Sequence, residues 1–213
     1  MLKRKILFVI GFLTYVNISL SQNMRIIPSI GIANIFGDGS ECWKLGYNLG
    51  INTFTNLSPN ISFGARLAYN IIPPNGEEII KLASRTPIGP NNDLYDFDLE
   101  RTSGVLSIIE IIPSLMYSIS SKNCATNLNI IGGAGLYILT SNAKVEGSAY
   151  SQYGQVTLEL EPEIESETNY GIQLGILLSI QKRFIIQSLF NIISTDEKSI
   201  KYLTVNVGYN LNR

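Results

Sequence analysis

Residues 43–54 read WKLGYNLGINTF, and large apolar side chains occupy every second position. Trp43, Leu45, Tyr47, Leu49 and Ile51 share one parity, while Lys44, Gly46, Asn48, Gly50 and Asn52 share the other. A period of two marks a β-strand with two unlike faces. A strand lying on a soluble core would turn Lys, Glu or Thr to water. Here the second face is mostly glycine and asparagine, which suits a confined space better than solvent.

The pattern recurs along the chain. In residues 60–71 (NISFGARLAYNI), Ile61, Phe63, Ala65, Leu67, Tyr69 and Ile71 oppose Ser62, Gly64, Arg66, Ala68 and Asn70. Residues 170–180 (YGIQLGILLSI) and 202–212 (YLTVNVGYNLN) repeat it, the latter placing Leu203, Val205, Val207, Tyr209 and Leu211 against Tyr202, Thr204, Asn206, Gly208 and Asn210. Residues 25–34, 104–118, 126–140 and 183–193 are apolar, β-branched and too glycine-punctuated for helices. Their faces are less cleanly separated, and Leu106, Ile108 and Ile112 interrupt the alternation. The pattern predicts eight strands and no helix.

Strand boundaries drawn from periodicity leave connections of roughly 8, 5, 32, 7, 27, 2 and 6 residues. The long ones are all odd-numbered, so an up-and-down meander would gather them at one end. All but Glu110 of the 17 Asp and Glu residues fall in these odd connections. The segments 35–42, 72–103, 141–167 and 194–199 are therefore expected to form one elaborate, acidic end. In ELEPEIE (159–165) the alternation also permits strands five and six to continue beyond the sheet.

Two all-β architectures fit this periodicity. A soluble calycin-like barrel points its apolar side chains inward, whereas a membrane barrel points them at lipid and keeps a polar lumen. Small polar residues suit the cramped interior of eight strands. The charge content of 15% is also below the roughly 25% usual for soluble domains. Trp43, Tyr69 and Tyr170 fall near the long-loop ends of their strands, and Tyr117, Phe184 and Tyr209 near the short-turn ends. Two aromatic belts are expected of rings at the two membrane interfaces. In hydrocarbon no backbone group can stay unpaired, so a spanning sheet must close on itself. The expectation is an all-β, eight-stranded antiparallel up-and-down transmembrane barrel.

The first residues supply the address. Lys3, Arg4 and Lys5 precede a short apolar run, and small residues follow at Ser19 and Ser21. This is the pattern of a cleavable signal peptide over residues 1–21, leaving residues 22–213 as the barrel, with Gln22 as the mature N-terminus. The run is shorter than the ~20 apolar residues of a spanning helix. An exported chain with two cysteines invites a disulfide. However, Cys42 is expected at the long-loop rim and Cys124 at the short-turn rim. A ten-residue strand of about 33 Å would separate them, and a disulfide needs Cα atoms within about 7 Å. No bond between them is predicted.

In these strands, in WKLGYNLGINTF, NISFGARLAYNI and YLTVNVGYNLN above all, the chain resembles the small eight-stranded outer-membrane barrel proteins of the OmpA-transmembrane, OmpX and PorT-like kind. The resemblance covers residues 22–213. It implies a bacterial outer-membrane location with the long connections outside, outer-membrane lipid and the insertion machinery as partners, and a monomer. Val205, Val207, Tyr209 and Leu211 resemble the alternating part of the family's C-terminal assembly signal, although the chain ends Asn212-Arg213 rather than on an aromatic residue.

The chain contains no histidine, so Ser-His-Asp hydrolysis and His-ligated zinc are excluded as usually built. No catalytic, cofactor or metal residues are assigned, and enzymatic activity is not expected. With a formal net charge of −1, nothing recommends a nucleic-acid partner. Lys44, Arg66 and Glu110 are the charges on the polar parity. Arg66 and Glu110 lie on consecutive strands at similar depth and are expected to form a buried ion pair plugging the interior, which resembles the lumenal gate of OmpA. A structural or surface-interaction role, with an unidentified cell-surface ligand, is the leading reading. A porin-like channel for small solutes and a periplasmic lipocalin-like binder are the alternatives.

Overall fold

The computed structural model describes residues 24–37, 39–85, 96–119, 125–151, 154–160, 166–181, 183–195 and 199–211. The expected signal peptide, Cys124 and the segment 161–165 lie outside them. Eight strands close into a barrel: β1 (Arg25–Phe36), β2 (Gly46–Asn56), β3 (Ile61–Ile72), β5 (Leu106–Ser118), β6 (Thr126–Ser141), β9 (Glu167–Ile180), β10 (Phe184–Ser194) and β11 (Ser199–Tyr209). Each pairs antiparallel with its neighbours. The seam closes between β1 and β11, in register from Ser29↔Gly208 to Phe36↔Lys201. Because the ring is complete, no strand of the barrel presents an edge, as a sheet in hydrocarbon requires.

The barrel's polarity is the reverse of a soluble calycin's. On β2, Tyr47, Leu49 and Ile51 point outward and are exposed, whereas Gly46, Asn48, Gly50 and Asn52 are buried inside. The same sense holds on β3, where Phe63 and Leu67 face out and Arg66 and Asn70 face in. Ile30, Leu174 and Val207 extend the apolar exterior to β1, β9 and β11, each more than half exposed. Water-soluble proteins rarely expose apolar patches beyond a few hundred Å². A girdle around the whole barrel matches hydrocarbon instead.

The interior departs from the expected polar lumen. A polar middle layer lies between two apolar layers. Toward the long-loop end Ala33, Ile35, Ile72, Leu106, Ile108, Leu139 and Ile193 pack together with Tyr137 and Tyr202. Toward the short-turn end Ile27, Phe54, Met116, Ile131, Leu177, Ile185 and Leu189 form a second cluster. The segment GVLSIIEIIPSLMYS is apolar on both parities because β5 must supply both lipid and lumen, so its alternation was broken where Leu106, Ile108 and Ile112 turn inward. Eight strands leave an interior just wide enough for side chains to fill.

The expectation of eight strands and no helix falls short at the long-loop end. Helix α1 (Gly76–Ser84) and strands β4 (Asp98–Ser103), β7 (Lys144–Ser151) and β8 (Gly154–Leu160) form a folded cap, with the strands ordered β4-β7-β8 in their own sheet. Ile79, Ile80 and Ala83 recur at helical spacing and pack on Phe97, Val145, Ala149 and Val156. Residues 154–160 therefore pair with β7 rather than prolonging the barrel strands. Every described acidic residue except Glu110 lies at this end, on the cap or the adjoining loops and strand start.

The helix lies close on the sheet where the sheet has no side chain. A Cβ at Gly147 would sit 2.5 Å from Ile80 Cδ1 and 2.9 Å from the Asp98 carbonyl oxygen. Backbone cannot yield as a side-chain tip can, and overpacking of this kind costs about 1–3 kcal/mol. Gly147→Val should therefore open the cap while sparing the barrel. Limited proteolysis in detergent is expected to cut the variant faster at Lys81 and Arg85 and to leave the barrel resistant.

Candidate functional site

The middle layer is organised around one carboxylate. Glu110 and Arg66 are both buried, at 0% and 1% exposure, and face each other from adjacent strands in which Ala68 pairs with Glu110. Arg66 Nε donates to Glu110 Oε2 at 2.7 Å. Gln173 Nε2 donates to the same oxygen at 3.3 Å. The other oxygen, Oε1, accepts from Asn70 Nδ2 at 2.8 Å and from the Tyr202 hydroxyl at 2.9 Å. Two oxygens with four donors use the full accepting capacity of a carboxylate.

The guanidinium is held as closely. Arg66 Nη2 donates to Asn48 Oδ1 at 3.0 Å and Nη1 to Asn52 Oδ1 at 3.4 Å. Gly50 makes room for it, since a Cβ there would lie 3.2 Å from Nη1. Asn48 Nδ2 then donates to Asn70 Oδ1 at 2.6 Å, closing a loop between cation and anion partners. Tyr137 hydrogen-bonds Asn191 at 3.1 Å and meets the Tyr202 ring edge-on, with centroids 6.4 Å apart. Its own ring occupies the space a Cβ at Gly171 would fill, 2.6 Å from Cε2.

These contacts bridge the barrel. β11 and β5 stand four places apart in the ring of eight, on opposite walls. The Tyr202–Glu110 bond therefore spans the lumen as a bar. A second tie runs from Asn52 Nδ2 on β2 to Gln187 Oε1 on β10, 3.2 Å long. Chemically the assembly is a buried ion pair whose carboxylate has its accepting capacity filled, set among close-packed side chains.

The other sequence-derived residues are elsewhere. Lys44 is not a lumen charge: it precedes β2 in the connection, is exposed, and its amide bonds the Pro73 carbonyl at 2.9 Å. Trp43 is half-buried, bridges Pro74 and packs against the apolar layer at the long-loop end instead of joining an outward belt. Tyr69, Tyr170, Tyr117, Phe184 and Tyr209 do face outward. The Tyr69 hydroxyl lies 3.0 Å from Ser107 Oγ, and Phe184 meets Tyr209 edge-on at 5.6 Å. Cys42 carries a free thiol in the short turn Ser40–Cys42 at the long-loop end. Tyr202, Asn70, Gln173 and Gln187 were not singled out from sequence. The available signal was their place on polar parities, read across strands that are distant in sequence.

A closed antiparallel ring with an apolar exterior and an internal polar layer defines the class: a small eight-stranded transmembrane barrel of the outer-membrane type. Similar folds among solved structures include the attachment invasion locus protein Ail of Yersinia pestis, at 12% identity over 88% of this chain and 97% of that one, with a TM-score of 0.47. Neisserial surface protein A is 10% identical, covering 88% of this chain and 95% of the other, with a TM-score of 0.45. The N-terminal barrel domain of Pseudomonas aeruginosa OprF is 13% identical over 89% and 98%, with a TM-score of 0.39. No family model and no curated protein matches the sequence.

Removing one member of a buried ion pair leaves the other uncompensated, at a cost of about 3–5 kcal/mol. Replacing both with apolar groups of similar volume avoids that penalty. Urea unfolding in detergent micelles should find Glu110→Ala and Arg66→Ala each strongly destabilised. The double variant Arg66→Met/Glu110→Leu should be more stable than either.

Proposed function

We propose that the chain is a non-enzymatic integral protein of the bacterial outer membrane, with the barrel as a closed anchor and the cap as an outward-facing interaction surface. The observation that carries this reading is the cap's own apolar core of Ile80, Phe97, Val145 and Ala149. A loop that merely joins strands has no need of one. The outward aromatic residues at both ends of the strands support a membrane position. The acidic residues gathered at the cap support an aqueous exterior for that end. Lipid and the outer-membrane insertion machinery are the implied partners, and the ligand at the surface is unidentified.

Fractionation tests the location. The protein should require detergent for extraction and migrate differently on gels before and after heating. Release by osmotic shock would sink the proposal and favour a periplasmic binder.

Cys42 tests the orientation. Burial and then the neighbouring Glu41 and Glu78 carboxylates push its thiol above the ordinary range. Thiolate is the reactive form, so alkylation is slow at neutral pH and accelerates as pH rises. In Cys124→Ser protein on intact cells, a membrane-impermeant maleimide should label Cys42 with that pH dependence. Labelling only after the membrane is breached would reverse the orientation.

The channel reading is opposed by the two apolar layers and the lumen-crossing bonds. Opening the ion pair alone would leave both layers in place. Planar-bilayer recordings should therefore find no steady conductance in the wild type. A steady conductance abolished or enlarged by Arg66→Ala would restore the channel.

A further inference from the structure

Alternation specifies which face of β11 looks inward, but it does not specify how far along β1 the strand sits. A one-residue slip would turn Tyr202, Thr204 and Asn206 into lipid and is strongly disfavoured. A two-residue slip keeps every face correct. Lys201, Leu203, Val205, Val207 and Tyr209 would still point outward. The other short junctions of the barrel join strands that are close in sequence, as β10 and β11 are, paired from Phe184↔Tyr209 to Ser194↔Ser199. The β1–β11 seam joins the first and last strands of the barrel, which no short connection links.

We propose that the buried polar layer fixes the register of this closing seam, through the two hydrogen bonds that tie the β10–β11 hairpin across the lumen to β5 and β2. Tyr202 on β11 reaches Glu110 at 2.9 Å. Gln187 on β10 accepts from Asn52 on β2 at 3.2 Å, across β1 and β11. Both bonds join residues far apart in sequence, so neither can form before the barrel closes.

Two residues of slip would carry the hairpin about 6.6 Å along β1, from ~3.3 Å of rise per residue. That distance exceeds the reach of either hydrogen bond. Glu110 would then lose one of its four donors inside a lumen closed by apolar layers above and below. An unsatisfied buried polar group is penalised far more than a satisfied one is rewarded. The layer thus discriminates between registers that hydrophobic alternation leaves equivalent.

Cross-linking reads the register directly. In a Cys42→Ser/Cys124→Ser background, paired cysteines are placed at the outward positions Ile32 and Val205, which face each other in the observed seam. Companion pairs at Ile32 and Val207, and at Ile32 and Leu203, report a slip in either direction. Oxidation of the folded, heat-modifiable fraction should join only Ile32 to Val205 in otherwise wild-type protein. In Tyr202→Phe/Gln187→Met, and separately in Arg66→Met/Glu110→Leu, which removes the acceptor of the Tyr202 hydroxyl, a shifted product should appear beside the native one. Thr204→Val, a buried change on the same strand outside these two ties, should leave the native product alone.

Exclusive native cross-linking in both altered backgrounds would overturn the proposal, because stability alone would then account for the layer. Failure of both to yield any folded barrel, with Thr204→Val still folding, would overturn it too. The proposal requires a folded population in the wrong register.

Discussion

Closure of β1 on β11 is the constraint from which the other features follow. A sheet in hydrocarbon cannot leave amides or carbonyls unpaired, because no water is present to satisfy them. Eight strands closed into a ring meet that requirement and fix the interior width at the same time. The narrow interior explains the small residues at Gly50 and Gly171, which yield their volume to Arg66 and Tyr137. It also explains why inward-facing apolar residues are tolerated. Their neighbours are other side chains rather than a water column.

Within that width a buried charge becomes affordable only if it is saturated. An unpaired carboxylate buried in a low-dielectric interior is heavily penalised. Glu110 is fully partnered, accepting from Arg66, Gln173, Asn70 and Tyr202 at once. An apolar replacement of similar volume could match or exceed the pair in stability. What aliphatic packing cannot supply is direction. Hydrogen bonds of defined length point from one wall to a particular place on another, whereas methyl groups accept many near-equivalent arrangements.

The architecture was legible in the sequence because closure and lipid both write a period of two. WKLGYNLGINTF gave its faces correctly from Gly46 onward, and Glu110 stood out as the one acid inside the sheet. Three things escaped that reading. Trp43 and Lys44 continue the alternation on paper, but β2 begins only at Gly46, so their parity carries no face. The apolar layers were hidden in segments such as β5, where both parities are apolar and periodicity is silent. Tyr202 was placed on the polar parity correctly, yet its partner lies 92 residues away on the opposite wall. Local pattern has no means of pairing such residues.

The cap escaped for a different reason, and that reason bears on function. Its helix supplies only Ile79, Ile80 and Ala83 to a core whose other members, Phe97, Val145, Ala149 and Val156, come from two separate connections. Each connection read alone is a charged, irregular loop. Their shared core exists only because the barrel brings the two connections to the same rim. An isolated sheet of three short strands and one helix of nine residues would have little core of its own, and small cores are marginal without a covalent or structural support. The closed barrel supplies that support by anchoring β3 and β5 on one side and β6 and β9 on the other. Filling the lumen and folding the cap are thus parts of one arrangement. The interior is committed to holding the strands in place, and chemical variety at the surface is left to the loops they position.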